Sequence, residues 1–179
     1  LGAGIFCAMG ILVALLEREV SGEGQWVQSS LLGAQISLLD FQAARWLIAK
    51  DVPGQAGNDH PTSIPTGVFP TRDGHINIAA AGKHIYKRFC ETLGLPHLLE
   101  DPRFAEDAAR SKNRAAINEI ISEVTRQQSS SDLIAKLNKA GVPCGPINRM
   151  DEVFADPQVQ HLGMAAPVKH GALGEIEVV

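Results

Sequence analysis

Asp59-His60 is the most suggestive pair in this chain for nucleophile–base chemistry, a carboxylate next to an imidazole in a proline-rich stretch. Side chains of this kind also satisfy backbone groups in tight turns, and the prolines around the pair favour that role. His75 sits at a turn. His84, His97, His161 and His170 stand at no catalytic or ligand spacing from another candidate, which leaves them structural or solvated. Cys7, Cys90 and Cys144 are odd in number and widely spaced, with no CxxC and no histidine at ligand spacing. They read as reduced, buried thiols of a cytosolic protein and not as a metal site. Gly22-Glu23-Gly24 is too short and too far from a strand-to-helix junction to cradle a phosphate, so it reads as a turn. Residue types and spacing alone assemble no nucleophile–base pair, metal cluster or phosphate loop.

The elements that would position any site turn on Gly57 to Gly82. Pro61, Pro65 and Pro70 forbid a helix and push their predecessors into extended conformations, so Asp59 to Thr71 is expected to run as an extended crossing segment. Asp73-Gly74 supplies a turn, and His75-Ile76-Asn77-Ile78 alternates polar and apolar, which predicts a hairpin with Gly67-Val68-Phe69. Ahead of this joint, an uncharged run to Leu16 predicts a helix that is apolar all round and buried on every side, with small residues permitting close approach. Ser21 to Gly24 reads as a turn and Gln25 to Ser29 as a short strand. A second apolar helix, capped by Ser29 or Ser30, runs to about Lys50. These elements belong to a core larger than they can build themselves. After the hairpin the pattern changes to amphipathic helices. Lys83 to Leu93 carries Ile85, Phe89, Cys90 and Leu93 on one face and stops at Gly94; Ala115 to Val124 follows, and then a helix capped at Ser129 to Asp132 that ends at Gly141. Pro143 to Pro146 is extended, Met150 to Ala155 and Pro157 to His161 are short helical turns, and Ala166 to Val179 returns to loop and strand.

Composition removes several function classes. A hydrophobic content of 45% supports a core, and a formal net charge of -4 with scattered basic residues argues against a nucleic-acid surface. At 5% aromatic there is no platform for stacking bases. The first apolar run is shorter than the ~20 residues a membrane span needs and has no basic lead, so neither a membrane anchor nor a signal peptide is expected. The chain starts inside an apolar run and stops within a strand pattern, which suggests an internal piece of a longer cytoplasmic protein.

Three blocks carry a resemblance. Gly57-Asn58-x-His60-Pro61 with Pro65-x-Gly67-Val68-Phe69-Pro70-Thr71, Asp73-Gly74 and Ile76 to Ala80 is similar to the class III CoA-transferases, the CaiB/BaiF family. So are Ala140 to Asn148 followed by Glu152 to Val159, and Leu15 to Glu19 with Ser21-Gly22-x-Gly24-Gln25-Trp26-Val27. The blocks come in the same order as in the family and span essentially the whole chain.

The resemblance implies an α/β fold seen in part: residues 1–56 from a Rossmann-like large domain, 57–66 crossing over, 67–165 forming a small α+β domain and 166–179 returning toward the large one, in an interlocked homodimer. It implies CoA transfer between an acyl-CoA and a carboxylic acid through a covalent aspartyl-CoA thioester, with no permanently bound cofactor and the coenzyme A thioester as substrate. The family's aspartate falls immediately before Leu1, so the 179 residues by themselves are expected to be inactive. Ala79, Ala80, Ala81 and Gly82 match the glycine-rich loop that closes over the reacting centre in formyl-CoA transferases, although only Gly82 is glycine. A strand ending at these alanines is the competing reading. His60, Pro65 and Gly67 would then stand in the wall of the site. The alternative within the same fold is an α-methylacyl-CoA racemase, which places a glutamate near this loop; Ala81-Gly82-Lys83 supplies no carboxylate there.

Overall fold

The computed structural model describes residues 1–179, which divide into two compact units, Leu1–Gln55 and Ala56–Val179. In the first unit, helix α1 (Gly2–Ser21) ends where Gly22 takes a left-handed conformation, φ 78°, and returns its N–H to the Arg18 carbonyl at 2.8 Å. Gly10 on α1 faces Val27, and a Cβ at this glycine would lie 2.8 Å from the Val27 Cγ1; here a small residue does permit close approach. Ser30 caps α2 (Leu31–Ser37), its Oγ accepting from the Gly33 N–H at 3.0 Å.

Two expectations for this unit change. Gln25 to Ser29 is not a strand, because no other strand lies in the unit to share its backbone hydrogen bonds. The second helix is broken after Ser37 and resumes as α3 (Phe41–Ala49), with Asp40 at φ 47° in the break; aspartate competes with helical hydrogen bonding and tolerates positive φ better than most side chains. The large apolar residues of α1 are exposed, as expected of a helix from a core larger than these elements can build, and the one buried apolar residue of the unit is Ala34. No helix is long and apolar enough to cross a membrane.

The second unit is built on an antiparallel sheet in the order β1 (Thr66–Pro70), β2 (His75–Ala79), β3 (Cys144–Pro146). The expected hairpin is present, with Gly67 opposite Ile78 and Phe69 opposite Ile76. Its alternation works as read: Ile76 and Ile78 face the core while His75 and Asn77 are exposed. The extended passage at Pro143 becomes β3, with Cys144 opposite Ile78. Against the sheet pack α4 (Lys83–Leu93), α6 (Arg114–Thr125) and α7 (Ser130–Lys139), which contribute Phe89, Ile117, Ile121, Leu133 and Leu137 to one continuous core. On α4 the inward face is Tyr86, Phe89, Cys90 and Leu93, and Ile85 is only half-buried.

Between α4 and α6 lie two elements not read from the sequence, a 3-10 turn at Pro96–Leu99 and α5 (Asp107–Lys112). The unit closes with α8 (Met150–Ala155), α9 (Pro157–His161) and a second hairpin, β4 (Ala166–His170) with β5 (Gly174–Val178). Residues 57–65 also differ from expectation. They form turns and bends, with extended backbone beginning at Thr66, because side chains within the segment fold it back on itself.

Candidate functional site

That folding starts at Asp59 and His60. The His60 N–H donates to the Thr66 carbonyl at 2.8 Å, and its imidazole Nδ1 accepts from the N–H groups of Thr62 and Ser63 at 3.2 and 3.0 Å. The ring is thus an acceptor for a turn, the backbone role expected of it. Asp59 accepts from Asn118 Nδ2 at 3.4 and 3.5 Å, so the pair does not combine into a nucleophile and base. Gly67 packs directly under this turn: a Cβ there would stand 2.3 Å from Asp59 Oδ1 and 3.1 Å from the Asn58 carbonyl oxygen. No other residue type fits at this position without moving backbone.

The hairpin brings the remaining candidates to the same end of the sheet, where Thr66 pairs with Ala79 and Gly67 with Ile78. Pro65 is buried, and its carbonyl accepts from the Ala80 N–H at 2.8 Å; the Ala79 N–H donates to the Pro143 carbonyl at 2.9 Å. Ala80 is fully buried in the core, while Ala79 and Ala81 are half-buried. Gly82 is exposed and takes φ 87°, which alanine would not adopt without strain, and its carbonyl accepts from the Tyr86 N–H at 2.8 Å to open α4. His60, Pro65, Gly67 and Ala79 to Gly82 therefore form one connected patch of backbone. The alanines close a strand and Gly82 turns the chain out of it.

Beyond Gly82, the first turns of α4 line a cleft of ≈ 520 Å³ together with α5. Lys83, His84 and Lys87 lie along one side, Glu106 and Asp107 along the other. Its floor holds a residue that the sequence reading passed over. Arg110 is 1% exposed, and its guanidinium centre lies 4.0 Å from the centroid of the Tyr86 ring. Burial pulls Arg110 below its ordinary value, and burial pushes the Tyr86 phenol up and the Cys90 thiol up to about 11. Phenol and thiol are thus protonated near pH 7, and neither serves as a nucleophile. An arginine on a six-residue helix carries no signal in sequence that separates a buried guanidinium from a solvated one. What this end of the unit offers is shape, fixed backbone and a cation.

The whole of residues 1–179 matches the family model described as CoA-transferase family III. Among curated relatives, the chain is 37% identical to the succinate–glutarate CoA-transferase of Agrobacterium fabrum, covering 90% of this chain and 40% of that protein. It is 31% identical to the human succinyl-CoA:glutarate CoA-transferase, over 99% of this chain and 41% of the relative. A CaiB/BaiF family protein from Brucella suis superimposes with a TM-score of 0.74 at 32% identity, covering 98% of this chain and 49% of that one. The chain thus spans about two fifths of the length of these curated relatives, and its mixed α/β architecture is a partial copy of the CaiB/BaiF fold. Its three sequence blocks and its fold lead to the same assignment: this chain belongs to the family III CoA-transferases.

Proposed function

We propose that the longer protein to which these residues belong is an acyl-CoA:carboxylate CoA-transferase, with a dicarboxylic acid as acceptor. The observation that carries this reading is the family match along all 179 residues. The acceptor class follows the names of the Agrobacterium and human relatives, both of which pair succinate or its CoA thioester with glutarate. Chemically, an aspartate carboxylate attacks the thioester carbonyl and expels CoA thiolate, leaving a mixed anhydride. The thiolate then attacks the aspartyl carbonyl and releases the donor acid. Finally the acceptor carboxylate repeats both exchanges on the aspartyl thioester, regenerating the aspartate and an acyl-CoA. The family resemblance places this aspartate just ahead of Leu1, and on this reading the 179 residues alone do not turn over acyl-CoA.

Within the proposal, Ala79 to Gly82 form the substrate loop and His60, Pro65 and Gly67 stand in the wall of the site. Residues 1–56 belong to a large Rossmann-like domain, 57–66 cross over, 67–165 make the small domain and 166–179 return. Coenzyme A enters as the substrate thioester with no resident cofactor, the working unit is a homodimer, and the three free cysteines suit a cytoplasmic setting. The test uses the full-length protein, incubated with succinyl-CoA in the absence of acceptor and then treated with borohydride. Peptide mass spectrometry is expected to find a reduced aspartate just upstream of Leu1, and added glutarate to discharge it. The absence of any adduct, together with exchange of the α-proton into heavy water, would replace transfer by racemisation.

A further inference from the structure

The stretch Ala80 to Gly82 is tied at both ends to groups that one guanidinium touches. At its start the Ala80 N–H donates to the Pro65 carbonyl, and Arg110 Nε donates at 2.9 Å to the carbonyl of Ile64, the residue before Pro65. At its end the Tyr86 N–H donates to the Gly82 carbonyl, and the Arg110 guanidinium lies 4.0 Å from the Tyr86 ring centroid. Arg110 Nη1 also donates to the carbonyls of Phe104 and Ala105 at 2.8 and 3.0 Å, and Nη2 donates to Asp107. One side chain therefore joins the segment entering β1, the loop ahead of α5 and the first turn of α4.

We infer that Arg110 is a positioning residue for CoA transfer, holding the Ala80–Gly82 loop in place through Ile64-Pro65 on one side and Tyr86 on the other. Its burial motivates this. The carboxylate it meets, Asp107, is exposed, so Arg110 is taken from water largely for the sake of neutral carbonyls, and buried charges of this kind often add no more stability than well-packed apolar residues of similar volume. What an apolar residue cannot do is bond two separate backbone segments with a planar fork of donors while its face lies over the Tyr86 ring of a third. Lysine cannot do so either, because its single ammonium keeps the charge but reaches only part of the set. The Ala79 N–H, bonded to the Pro143 carbonyl, is held by a tie that does not pass through Arg110 and serves as an internal reference.

This inference rests on the reading of Ala79 to Gly82 as the substrate loop of the transferase site, and the test separates the two. Full-length Arg110→Lys is compared with the unsubstituted protein by residue-resolved amide exchange and by steady-state transfer from succinyl-CoA to glutarate. The expected result is faster exchange at Ala80 and Tyr86 with Ala79 unchanged. A misplacement of about 1 Å costs on the order of 10²-fold, so kcat is expected to fall ~10- to 100-fold with KM for the acyl-CoA within about 2-fold. If Ala80 and Tyr86 exchange as before, Arg110 does not hold the loop and the inference is overturned while the site reading stands. If exchange quickens and kcat does not move, the loop lies outside the site and both fail together. Should Arg110→Lys not fold, Tyr86→Leu removes the ring but spares the guanidinium's hydrogen bonds. It is expected to quicken exchange at residue 86 with Ala80 unchanged and to lower kcat by a smaller factor, and unchanged values for residue 86 and kcat would equally overturn the inference.

Discussion

Leu1–Gln55 and Ala56–Val179 are both rich in large aliphatic and aromatic residues, but they dispose of them in opposite ways. In the second unit Phe89, Ile117, Ile121, Leu133 and Leu137 are removed from water altogether, and they form one cluster with the sheet. In the first unit Ala34 is the buried apolar residue, and Leu12, Leu16, Leu32 and Trp46 remain exposed. The difference lies in pattern and not in amount. An amphipathic stripe such as Ile117, Ile120, Ile121 and Val124 needs cover on one side, which a single sheet supplies. A helix that is apolar around its whole circumference needs cover from every direction, and α2 with its flanking segments covers little of α1.

The contrast makes its largest prediction for paired truncations measured on the 179-residue chain. Phe89→Ala removes a fully buried ring from the second unit and is expected to cost about 3–5 kcal/mol. Leu12→Ala on α1, where Leu12 is 62% exposed, is expected to stay within about 0.5 kcal/mol. Urea unfolding followed by circular dichroism reads both. Comparable costs at the two positions would mean that α1 is packed in solution and that the difference between the units is not real.

Glycine substitutions sharpen the same contrast by sign. Gly67→Ala drives a methyl against Asp59 and the Asn58 carbonyl; the carboxylate can swing away but the backbone cannot, and a loss of about 1–3 kcal/mol is expected. Gly4→Ala on α1 meets no atom within 4 Å and exchanges glycine for a better helix former, so a gain of about 0.5–1 kcal/mol is expected. Thermal unfolding of the two variants should shift in opposite directions. Two losses would show that α1 is crowded by a neighbour at Gly4.

What could be read in the sequence follows the same division. In the second unit the signals are local and agree with one another. Asp73-Gly74 between alternating runs gave the hairpin, and Gly94 at the end of a stripe gave α4 with bounds that match those observed; the register, with Pro70 opposite His75 across residues 71–74, comes from the structure. The misses there are tertiary. β3 is three residues between prolines, and nothing near it announces a partner at Ile76 to Ile78. Arg110 looks like any surface charge until the distant Ile64 carbonyl and the nearer ones of Phe104 and Ala105 converge on it. In the first unit the apolar content correctly gave helices. It could not give the break at Leu38 to Asp40 or the absence of a strand at Gln25 to Ser29, because a strand exists only with a partner. The patch at His60, Pro65, Gly67 and Ala79 to Gly82 was legible as residues, and what the structure adds is the set of hydrogen bonds that connects them.

The smallest effect distinguishes two ways of capping a helix. In the first unit α2 is capped by Ser30, a neighbour in sequence. In the second, α7 has its own Ser129 cap and also a carboxylate from the distant hairpin turn: Asp73 Oδ1 accepts from the Ser130 N–H at 2.8 Å, the Ser130 Oγ at 2.8 Å and the Thr71 Oγ1 at 3.2 Å. The Ser130 N–H above all, with the two hydroxyls, holds the Asp73 carboxyl below its ordinary value of 3.8. A carboxyl depressed in the folded state contributes stability that is present above the unfolded value and is lost as pH falls through the lower folded value. The stability gap between the unsubstituted chain and Asp73→Asn is therefore expected to be constant from neutral pH down to the region of 3.8 and to narrow below it. The gap between the unsubstituted chain and Ser30→Ala is expected to stay flat across the same range, because no titrating group takes part in that cap. Urea midpoints measured from pH 7 to pH 2 provide the comparison. A gap for Asp73→Asn that does not change with pH would mean that the hydroxyls of Thr71 and Ser130 join the hairpin to α7 without help from the carboxylate's charge, and the second unit's cap would then be no different in kind from the first's.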